Sequence, residues 1–120
     1  MRLQSLLKEN ILLLDQVLQA IEAQTDKAQL LALYRILNYY EAFIARKDIL
    51  SYATTKKWTK DQAITQGKAL MSSLLRITED DWLHVDHAGA KCPSSVSREL
   101  AFLASKASEV LESNGIYKEN

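Results

Sequence analysis

LQSLLKENILLLDQVLQAIEA, residues 3–23, decides the fold class. Leu3, Leu7, Ile11, Leu14, Leu18 and Ile21 recur at steps of three and four. That spacing collects them on one face of a helix with 3.6 residues per turn. Leu6, Leu13 and Val17 widen the face. Asn10 falls inside it, either as a buried polar residue that fixes register or as the border of a groove. A first helix over Leu3–Ala23 follows.

The same period continues along the chain. Thr25-Asp26 restarts it, with Asp26 and Gln29 spaced as a capping box. The second helix is expected to run to about Leu50, with Leu30, Leu33, Leu37, Tyr40 and Ile44 as its core face. The stretch ATTKKW (53–58) breaks it. Thr59 and Gln62 make a second capping box, opening a helix over Lys60–Ile77 that buries Ala63, Ile64, Gly67, Leu70, Met71, Leu74 and Leu75. Glycine in mid-helix costs ~1 kcal/mol relative to alanine, so Gly67 implies close approach of a neighbouring helix. A long connection spans Thr78–Ser95, with a helical turn expected at EDDWLHV (79–85). Pro93 starts the last helix, striped by Val96, Leu100, Leu103, Ala107, Val110 and Leu111. SNGI (113–116) ends it, with Gly115 suited to the left-handed C′ position. The expected fold is all-α: one domain over residues 1–120, an antiparallel four-helix bundle with a long loop between helices 3 and 4.

Composition works mostly by exclusion. A chain of 120 residues with 48% hydrophobic content can bury a core without disulfide or metal, and its single cysteine, Cys92, forms no internal disulfide. Fifteen basic residues balance fifteen acidic ones, leaving no net field to gather nucleic acid or an anionic membrane. Apolar runs such as Ile11–Leu14 fall far short of a membrane span. Lys8, Glu9 and Asp15 spoil any secretory signal peptide at the N-terminus. The expectation is a cytoplasmic protein, or one exported into a host cell by a system that reads other signals.

HVDHAGAKC, residues 84–92, holds both histidines and the cysteine. His84, His87 and Cys92 supply three ligand types that zinc accepts, and Asp81 or Asp86 could add a fourth. The spacing H-x-x-H-x-x-x-x-C matches no standard zinc module. Cys92 stands before Pro93 at a helix start, where the dipole lowers a thiol pKa, but a local loop positions a Cys–His pair poorly. A solvated loop anchored by Trp82 and Leu83 is the preferred reading, with no cofactor and no metal. The alternative is a small metal-binding protein or enzyme centred on His84, His87 and Cys92. No Gly-rich phosphate loop, H-E-x-x-H pair, Walker lysine or EF-hand loop occurs. Arg46, Lys47, Lys56, Lys57 and Lys60 surround Trp58. Such a mixture can bind single-stranded nucleic acid, which makes a nucleic-acid accessory protein a further alternative. With a net charge of zero, a solvated helix-end patch is preferred.

The most informative residues are apolar ones off the stripes. Phe102 points about 120° from the centre of its helix face, among Glu99, Lys106 and Glu109. Leu12 sits with Lys8, Gln16 and Gln19. Leu31, Tyr34 and Tyr39 lie outside the core face of helix 2, which is either a two-sided interface helix or a central helix covered on several sides. Aromatic anchors are favoured at protein interfaces, so Leu12, Leu31, Tyr34, Tyr39 and Phe102 are the expected partner-binding residues.

LYRILNYYEAFIARKDIL, residues 33–50, resembles a helix with an N-Y-Y-E-like core in uncharacterised bacterial proteins. In size, helical content and lack of catalytic motifs, the whole chain resembles the small helical effector-antagonist proteins of intracellular bacterial pathogens of the Legionella type. That resemblance implies a bundle that binds an effector enzyme, for example a ubiquitin-modifying deamidase, and blocks it. It assigns no site. The function expected from the chain is therefore a non-enzymatic adaptor or inhibitor that occludes another protein, or that pairs with itself as a homodimer.

Overall fold

The computed structural model describes residues 3–47, 49, 57–77 and 93–115. Among these, four helices follow in order: α1 Leu3–Ala23, α2 Lys27–Ile44, α3 Lys60–Arg76 and α4 Pro93–Ser113. They pack as a four-helix bundle, and no strand occurs among the described residues. The α1 stripe lies at the centre of the packing, with Leu14, Val17 and Ile21 fully buried. Each such side chain contributes roughly 1.5–3 kcal/mol by leaving water.

The packing places α1 and α2 at opposite corners. α1 lies chiefly against α3 and α4, α2 lies against the same two helices, and α1 and α2 also meet across the bundle. Contacts between named residues give the directions. Asn10 reaches the Leu100 carbonyl and Gln24 reaches Asn114, both at an offset of 90 residues, so α1 and α4 run the same way. Leu18 faces Gly67, and Lys60 donates to the Glu22 carbonyl at 3.2 Å, so α3 runs opposite to α1. α2 folds back along α1 after the short link at 24–26, bringing Tyr40 to Asn10. α2 and α3 are consequently parallel. Fifteen residues separate Ile44 from Lys60, and at about 3.3 Å each they can span the length of the bundle.

Helix ends follow local chemistry, with two departures from expectation. Thr59 and Gln62 form the capping box: the Thr59 hydroxyl accepts from the Gln62 amide at 3.1 Å, and the Gln62 side chain accepts from the Thr59 amide at 3.1 Å. Asp26 takes the extended N-cap conformation, but its carboxylate caps nothing. Gln24 replaces the expected Gln29, because its Oε1 accepts from the amides of both Thr25 and Asp26 at 3.0 Å. The second departure is that α2 ends at Ile44 rather than near Leu50. Arg46 adopts φ 66, the Lys47 amide donates to Ala42 at 2.9 Å, and the Arg46 amide donates to Phe43 at 3.0 Å. This is a Schellman closure with arginine where glycine is usual, so no sequence signal marked it. Gly115 has φ +71, the left-handed conformation expected for it. The helical turn expected at 79–85 lies outside the described residues.

Burial corrects one residue of the α3 stripe. Ala63, Gly67, Leu70 and Leu74 are buried, and Ile64 and Met71 are partly so. Leu75 is 67% exposed. Adjacent residues on a helix diverge by about 100°, so Leu74 faces the core and carries Leu75 out of it.

Candidate interaction surface

Two side chains, Asn10 and Tyr40, hold the bundle's centre in register. Asn10 is fully buried. Its Nδ2 donates to the carbonyls of Leu6 at 2.8 Å and Leu100 at 3.1 Å, while its Oδ1 accepts from the Tyr40 hydroxyl. One amide thus ties α1 to both α2 and α4. A buried polar group is tolerated only when its donors and acceptors are matched, and this match exists at a single alignment of the three helices. Asn10 is the register residue and not a groove border. Burial, reinforced by the negative charge of Glu9, raises the pKa of the Tyr40 phenol far above its ordinary value.

The five apolar residues expected at an interface separate into three environments. Leu12 and Leu31 stand in solvent, 65% and 56% exposed, on the outer faces of α1 and α2. Tyr39 and Phe102 meet each other instead. Their rings lie 5.7 Å apart at 87°, an edge-to-face pair that joins α2 to α4 and packs partly on the core. Lys106 places its ammonium 5.7 Å from the Phe102 ring centre and 3.7 Å from Glu109. The aromatic pair is worth ~1 kcal/mol beyond its area, and the exposed charge contacts add little.

Tyr34 is the correction. Expected off the core face and available to a partner, it is 6% exposed and belongs to the core, and burial raises the pKa of its hydroxyl. Asn38 and Ala42, one and two turns further along the same side, are also buried. The Asn38 amide satisfies itself on the Tyr34 carbonyl at 3.0 Å. The α2 helix is therefore covered on several sides, the second of the two readings its all-round apolar character allowed.

The basic stretch also changes character. Arg46 and Lys47 are exposed beyond the α2 C-terminus, at the end of the bundle where α1 begins. Lys57 and Lys60 flank the α3 N-terminus, where Lys60 caps the other end of α1 through the Glu22 carbonyl. About 16 helical residues, roughly 24 Å, separate the two groups. Parallel α2 and α3 thus split between two ends of the bundle a run of charge that is continuous in sequence. Lys56 lies outside the described residues.

His84, His87 and Cys92 also lie outside the described residues. Among the described residues, no cluster of three or more His, Cys, Asp or Glu side chains could hold a metal ion. No helix among them is long and apolar enough to cross a membrane. Comparison of the chain with protein-family models, curated proteins and solved structures finds no match.

Sequence reasoning missed two contributors. Lys106 stands at i, i+4 from Phe102, a spacing that allows a cation over the ring and not merely polar surroundings for it. Leu75 is the second: one residue past the buried Leu74, it turns about 100° away and stands exposed on the outer side of α3.

Proposed function

We propose that this chain is a non-enzymatic protein-binding module, an adaptor or inhibitor that covers a surface on a second protein such as an enzyme. The observation that carries the reading is the exposure of Leu12 and Leu31, at 65% and 56%, on helices whose core faces are already filled. Large aliphatic side chains left in water gain free energy when a partner covers them, roughly 25 cal/mol per Å² of apolar surface removed from water. The Tyr39–Phe102 pair supplies a half-buried aromatic ridge between α2 and α4, rimmed by Lys106 and Glu109, whose charges orient an approaching surface. Binding acts by occlusion, and the module works in the cytoplasm of the cell where its partner resides.

The test compares the wild-type chain with a Leu12→Asp, Leu31→Asp variant as immobilised baits in native cell lysate. Captured proteins are identified by mass spectrometry, and each bait's self-association is followed by sedimentation. The expected result is a partner, or a second copy, retained by the wild type and lost by a variant whose melting temperature is unchanged. Identical capture and identical sedimentation by both baits would sink the proposal.

A further inference from the structure

We draw no further inference here: the strongest candidate, the half-polar groove between α1 and α3 lined by Gln4, Ser5, Lys8, Ile11, Leu75 and Ile77, is an unpartnered face, and nothing in the structure shows what covers it.

Discussion

At the scale of single residues, Asn10, Tyr40 and Gly67 carry consequences out of proportion to their number. The buried Tyr40 phenol keeps its proton well above the ordinary value of 10.0. Above pH 10 the unfolded chain releases a proton that the folded chain retains. The stabilising contribution is therefore complete below about pH 10 and is lost as pH rises past it. Between about pH 9 and pH 11, the wild type should lose more unfolding free energy than Tyr40→Phe, measured by urea titration at each pH. Equal losses would mean that the phenol titrates freely. Gly67 offers a steric test. A Cβ there would run into Leu18 Cδ2 and lie 3.0 Å from its Cγ. Alanine improves helix propensity by ~1 kcal/mol, but overpacking typically costs 1–3 kcal/mol. Gly67→Ala should be net destabilising, and combining it with Leu18→Ala should cost less than the two single changes added together. Additive costs in chemical denaturation would show that the two positions do not meet.

Elements owe their boundaries to chemistry of unequal visibility. The α3 start was legible because its signal, Thr59 and Gln62, lies within four consecutive residues and both hydrogen bonds form. The α2 end was not, because arginine occupies the left-handed position. That conformation costs a residue with a Cβ about 1 kcal/mol relative to glycine. Arg46→Gly should accordingly be more stable than Arg46→Ala by about 1 kcal/mol, both variants having lost the same side chain. Thermal unfolding of the pair checks this. Alanine equal to or better than glycine would place the helix end elsewhere. Asp26 teaches a related lesson. A favourable residue at the N-cap secures the conformation, but the bond went to Gln24, whose longer side chain reaches back over the link.

For the whole molecule, the surface and the core respond differently to truncation. Leu12→Ala and Leu31→Ala remove exposed side chains and should change stability by no more than about 0.5 kcal/mol. Phe102→Ala and Tyr39→Ala break an interhelical aromatic pair and should each cost more, about 1–2 kcal/mol. Equilibrium unfolding of the four variants ranks them, and a Leu12→Ala cost as large as that of Phe102→Ala would remove Leu12 from the candidate surface. The four helices among the described residues, the first helix span, the α3 cap and the close approach at Gly67 could all be read from the chain. Each depends on residues a turn or two apart, or on the size of one side chain. The positions of Tyr34 and Leu75, the division of the Arg46–Lys60 charges and the shared direction of α1 and α4 were decided only in three dimensions. Periodicity tells a helix which face to bury. It does not say which neighbour stands on the flank of that face, nor whether a fifteen-residue link turns back at once or crosses the bundle. Those outcomes arise from packing all four helices together, where burial depends on contacts between residues distant in sequence.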